Sequence, residues 1–139
     1  MHWDSKIVAS NDGGGGKVER LAVLVSGDGV HKLLAVPKLP SGSAKAAGDA
    51  VMTALEDWEL TDRIYALSFD TTAVNSGLVN GACTIIEQRL EREVLHLACR
   101  HHVFELVLEK TMTISLGPSH GPDVQLFKRF QKKWDVIDR

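Results

Sequence analysis

Apolar and polar positions divide the chain into an opening set of β-type segments and a later alternation of helix and strand. Residues His2 to Ala9 mix β-formers with polar positions and predict a first strand. Ser10 to Gly16 (SNDGGGG) predicts a turn or loop, because successive glycines hold regular structure poorly. Val18 to Ser26 carries the continuous apolar run LAVLV, the pattern of a strand covered on both faces. Gly27-Asp28-Gly29 is a tight hairpin signal, and Val30 to Pro37 returns as a third strand. Short turns between the three strands predict an antiparallel meander.

After Pro40-Ser41-Gly42-Ser43 the period changes to helical, with Ser41 or Ser43 placed to cap the helix. Ala47, Val51, Ala54, Leu55 and Trp58 form one apolar face, although Gly48 within it costs about 1 kcal/mol relative to alanine. Ile64 to Phe69 predicts a buried fourth strand. A second helix is predicted from Asn75 or Leu78 to Arg92, with Ala82, Ile85, Ile86 and Leu90 on its apolar side. Val94 to Ala98 predicts a fifth strand, and a third helix follows from Val103 to about Met112, with Val103, Leu106, Val107 and Met112 inward. Gly117 to Pro122 has the composition of a linker. Val124 to Ile137 is amphipathic, with Phe127, Phe130, Trp134 and Ile137 at helical spacing among Lys128, Arg129, Lys132 and Lys133.

The predicted order is β-β-β-α-β-α-β-α. A meander followed by two right-handed crossovers makes an α/β fold with a mixed five-stranded sheet and helices on its faces. This is the element order of the ribonuclease-H-like fold. The core is expected over residues 1–116, with a linker and basic helix over 117–139.

At 139 residues and 44% apolar composition, the chain has enough material for one packed core. Its formal charge of −2 excludes a global basic field, so contact with nucleic acid would need a local patch. Two cysteines, Cys83 and Cys99, do not make a disulfide framework. Without an apolar run of about 18 residues or a signal-peptide pattern, the expectation is a nuclear or cytoplasmic protein, neither secreted nor membrane-spanning. The opening strand starts almost at Met1 and the last helix reaches Arg139, which suggests a piece of a longer protein, truncated at its C-terminal end.

The chemistry centres on Asp70, where the fourth strand ends in Phe69-Asp70-Thr71-Thr72. In open α/β sheets, ligands bind outside the carboxyl ends of strands. A plainer role for Asp70 or Thr71 is to cap the next helix. If strands one and four are neighbours, Asp4 comes beside Asp70. Paired carboxylates repel unless a cation joins them, and two Mg²⁺ ions about 3.5–4 Å apart can serve a phosphoryl transfer. The plainer reading of Asp4 is a solvated residue on a terminal strand. GGGGK is not a phosphate-binding loop: Asn11 stands where the first glycine is required and Val18 follows Lys17.

Phe69-Asp70-Thr71-Thr72, Asn75, Asn80-Gly81-Ala82-Cys83, Leu97-Ala98-Cys99-Arg100-His101-His102 with Leu106, and the tail from Gly121-Pro122-Asp123 to Trp134 resemble the catalytic core of hAT-type DNA transposases and transposon-derived relatives. The resemblance spans nearly the whole chain. It implies Asp4 as first acid, Asp70 as second, and Cys99 and His102 as the Cys-x-x-His pair after strand five. It also implies Mg²⁺, with Mn²⁺ as a substitute, DNA as partner, and a possible homo-oligomer. That family's N-terminal zinc-finger module, and its third acid, a glutamate beyond a long helical insertion, have no counterpart here. Glu105 and Glu109 could stand in, or simply face solvent on an amphipathic helix; Asp123, Asp135 and Asp138 are weaker candidates. Cys99 and His102 could alternatively form half of a zinc site completed by Cys83 or His96. Lys128, Arg129, Lys132 and Lys133 could meet phosphates or be a solvated face around a packing stripe. The expectation is a remnant or fragment of a DNA-cleaving and strand-transferring domain, inactive alone. The alternative is a non-enzymatic module binding DNA or protein.

Overall fold

The structure, a computed structural model, describes residues 1–10, 16–118 and 125–136. The glycine-rich stretch at 11–15, most of the predicted linker, and Asp123, Val124, Ile137 and Asp138 lie outside them. The chain divides into two compact units, Met1–Val103 and Phe104–Arg139.

In the first unit, β1 (His2–Ala9), β2 (Lys17–Gly27) and β3 (Val30–Ala35) form the expected meander. Gly27 pairs with Val30, so Asp28 and Gly29 make a two-residue turn with φ of 47° and 77°. Two positive φ values match the right-handed twist of the flanking strands, which explains why Asp-Gly stands there. An irregularity between Val23 and Leu24 shifts the β2–β3 register.

Helix α1 (Ala44–Asp57) follows, with the Ser43 hydroxyl accepting the Ala46 N–H at 3.2 Å. Strand β4 (Ala66–Phe69), starting two residues later than the apolar run, leads to the short helix α2 (Ala73–Ser76), then α3 (Ala82–Leu90) and β5 (Leu95–Ala98). The single helix expected from Asn75 or Leu78 to Arg92 is therefore broken. Between its two pieces the backbone folds tightly: the Gly81 N–H donates to the Gly77 carbonyl at 2.8 Å, and the Thr84 hydroxyl to the same oxygen at 3.1 Å. A Cβ on Gly81 would lie 2.5 Å from both N and O of Gly77, so only glycine permits this approach. Glu91, with φ of 52°, ends α3 in the left-handed region.

The sheet is five-stranded, mixed and open, in the order β3-β2-β1-β4-β5. β1 runs antiparallel to β2 and parallel to β4, which runs parallel to β5. Leu21 and Val23 of β2, Leu67 and Phe69 of β4, Val51 and Leu55 of α1, and Ile86 of α3 meet in one core. Burial of this apolar surface is the main favourable term of the fold. Continuous burial of β2 on both faces is not what the unit shows: Leu21 and Val23 are buried, whereas Ala22 and Leu24 are half-buried. Gly48 sits inside α1 because its missing side chain lets α3 approach; a Cβ there would be 3.1 Å from Ile85 Cγ2. Trp58, expected on the buried face of α1, is half exposed at its end and donates its indole N–H to the Leu34 carbonyl at 3.2 Å.

Helix α4 (Arg100–Leu116) is longer at both ends than expected, and crosses the boundary between units. Val103, Leu106, Val107 and Met112, expected to point inward, are exposed. In the second unit, α5 (Gln125–Lys133) continues as a short 3-10 turn, Trp134–Val136. Phe130 and Trp134 meet edge to face at 5.1 Å. No helix among the described residues is long and apolar enough to cross a membrane.

Candidate functional site

Asp70 leaves the carboxyl end of β4 and accepts three hydrogen bonds, all on Oδ1. The Thr72 N–H donates at 3.1 Å, the Thr72 hydroxyl at 2.6 Å, and the Asn75 amide at 2.7 Å. The first two follow from sequence locality, because a carboxylate two residues ahead of a threonine can fold the chain into a tight local turn. The third requires α2 to start at once, bringing Asn75 back over the strand end. Asp70 is therefore more than a helix cap: Thr72 holds the cap position of α2 and directs its own hydroxyl to Asp70. All three of these donors fall on Oδ1 and none on Oδ2.

Asn75 is buried, 8% exposed, and satisfied at both ends, since its Oδ1 accepts the Trp3 indole N–H at 3.0 Å. Trp3 belongs to β1, 72 positions away, and stacks on Phe69. The site thus joins the start of β1 to the carboxyl end of β4, its parallel neighbour. Trp3, Ser5, Leu21, Asp70, Thr72 and Asn75, with Glu19 and the start of α1, line a depression of about 200 Å³.

Burial pushes the Asp70 carboxyl upward, but the hydrogen bonds from Thr72 and Asn75, with the positive form of nearby His102, outweigh it. The net result lies below the ordinary aspartate value, so the group is a carboxylate at neutral pH. It offers one hard oxygen donor in a fixed position, which suits a divalent cation that keeps several waters and takes one or two carboxylates.

The other predicted residues fall as follows. His2 pairs with Ser68, and Asp4 and Asp70 each lie two residues further along, Asp4 within β1 and Asp70 past the end of β4. Asp4 is exposed, and strand alternation carries its side chain to the face opposite Trp3, while Ser5 lines the depression. Cys99, whose N–H donates to the Phe69 carbonyl at 2.8 Å, lines a second hollow of about 980 Å³ with His2, His31, Ser68 and His101. His102, three residues on, is the member of the pair whose charge reaches Asp70.

Cys83 lies in the core, and burial, followed by the Glu87 charge, pushes its thiol up to about 12, the wrong form for a metal ligand. His96 is within 3.1 Å of Glu87 and packs edge-on to Phe69. Among the described residues, no three His, Cys, Asp or Glu side chains group as a metal site. Glu105 and Glu109 are exposed on α4, and Lys128, Arg129, Lys132 and Lys133 are exposed in the second unit.

Trp3 was not legible as a site residue, and Asn75 stood out only as one position of the hAT-like motif, with no role attached. No periodicity in the chain marks an indole and an amide 72 positions apart as partners. No known protein family, curated protein or solved structure matches this chain.

Proposed function

We propose that this chain is a ribonuclease-H-like domain derived from a hAT-type DNA transposase, with Asp70 as its retained metal-holding carboxylate. The observation that carries the reading is Asp70 at the carboxyl end of β4, beside β1 in the order β3-β2-β1-β4-β5, with three donors fixing its Oδ1. The motifs from Phe69 to His102 support the same origin. Asp70 would hold Mg²⁺ through Oδ2; Asp4, the first acid by the resemblance, lies on the face of β1 turned away from the depression. When bound, such an ion polarises a phosphodiester and stabilises the oxygens entering and leaving phosphorus. The protein's own contribution is to keep Asp70 ionised and oriented. The parent chemistry is cleavage and transfer of DNA strands. With Asp70 alone of the acids implied by the resemblance at the depression, the proposal is a remnant that does not cleave alone.

Exposed Lys128, Arg129, Lys132 and Lys133 favour a second reading, a fold retained to contact DNA phosphates without chemistry. Thermal unfolding with Mg²⁺ or Mn²⁺ separates the two. A metal-dependent rise in Tm that disappears in Asp70→Asn supports the retained metal site. An unchanged Tm, with salt-sensitive DNA binding, supports the phosphate-contacting module.

A further inference from the structure

We propose that Trp3 and Asn75 are positioning residues for Asp70: the indole orients the amide, the amide pins Oδ1, and Oδ2 becomes the oxygen presented to a hard divalent cation. The inference rests on the reading of Asp70 as a metal-holding carboxylate, and adds the residues that aim it.

The amide has one end that donates and one that accepts, and its two neighbours leave no choice between them. An indole nitrogen only donates, so it must meet Asn75 Oδ1. A carboxylate only accepts, so it must meet Asn75 Nδ2. A flipped amide would lose both bonds in a buried place. Trp3 cannot drift, because it is 4% exposed and stacked on Phe69 at 5.6 Å.

Thr72 alone would fix Asp70 only relative to its own turn. The Asn75–Trp3 link ties it to β1, the strand that also carries Asp4. Three donors on Oδ1 leave that oxygen little capacity for a metal, while Oδ2 has none of them. Partners of this kind, one bond removed from a metal, change affinity by about 10- to 100-fold when lost.

The test uses the full chain and the indole N–H resonances, with Trp3 distinguished from Trp58 and Trp134 by Trp→Phe variants. Asp70→Ala should shift the Trp3 signal and leave the other two in place, and Asp70→Asn, which keeps an acceptor, should shift it less. A Trp3 signal unmoved by Asp70→Ala overturns the relay. Calorimetric Mg²⁺ titration supplies the second arm. Asn75→Ala, or Trp3→Phe should the first variant not fold, should bind Mg²⁺ about tenfold more weakly than the unaltered chain. Equal affinity overturns the positioning role. If Trp3 responds to Asp70→Ala but the unaltered chain binds no Mg²⁺, the link between the residues stands and the metal reading of the preceding section falls.

Discussion

The rings of Trp3 on β1 and Phe69 on β4 stack with centroids 5.6 Å apart and planes 23° from parallel. Among the described residues one pair, His2 with Ser68, registers these strands, and Met1 adds two hydrogen bonds, its ammonium to the Ala66 carbonyl and its carbonyl from the Ser68 N–H. So short a ladder leaves side-chain packing a large share of the seam's cohesion. Trp3→Ala should therefore lower unfolding free energy by about 3–5 kcal/mol, the range for emptying a buried aromatic site. Urea unfolding should show a lower midpoint with an unchanged slope, as expected when stability changes without a change in the surface exposed.

Asp70 makes stability depend on pH in a definite sense. Its folded value lies below the ordinary one, because Thr72 and Asn75 favour the carboxylate despite its burial. Its contribution is complete above the unfolded value, about 3.9, and is lost as pH falls through the folded value. The Tm advantage of the unaltered chain over Asp70→Asn should be constant at neutral pH and shrink on acidification below roughly pH 4. An advantage that grows in acid would show that the folded value is raised instead.

The tight turn between α2 and α3 should not accept a side chain at position 81. A Cβ would meet Gly77 backbone N and O at 2.5 Å, and backbone cannot swing aside as a flexible side chain can. Gly81→Ala should destabilise by about 2–3 kcal/mol. Gly27→Ala is the control: nothing lies within 4 Å of its Cβ position, so the change should stay within about 0.5 kcal/mol. Chemical denaturation of the two variants makes the comparison.

The two thiols should differ in reactivity. Cys83 is 2% exposed and its thiol is held protonated by burial, whereas Cys99 is half-buried at the end of β5. Since the thiolate is the reacting form, a maleimide should label Cys99 in the native chain and both residues in denaturant. Mass spectrometry of the digested product reads the sites directly.

Local order was legible wherever a nearby residue sets the backbone. The Asp28-Gly29 turn, the Ser43 cap and the five strand-forming runs each depend on residues within a few positions, so period and turn chemistry expose them. The break at Gly77–Gly81 was not legible, because helical spacing of apolar residues continues across it while a close approach of backbone to backbone interrupts it. Gly48 shows the same limit: its cost to the helix is a local quantity, and its purpose, contact with Ile85, belongs to another element.

Asp70 could be singled out because a carboxylate at a strand end is a position along the chain. That the residue pinning it is itself held by a distant strand was decided only when β1 came to lie beside β4. Trp3 and Asn75 acquire a shared role through that pairing, and one indole hydrogen bond is enough to orient the amide. Short-range sterics and periodicity are written in neighbouring residues; the direction of a buried side chain is set by whatever distant atoms the packed sheet brings to it.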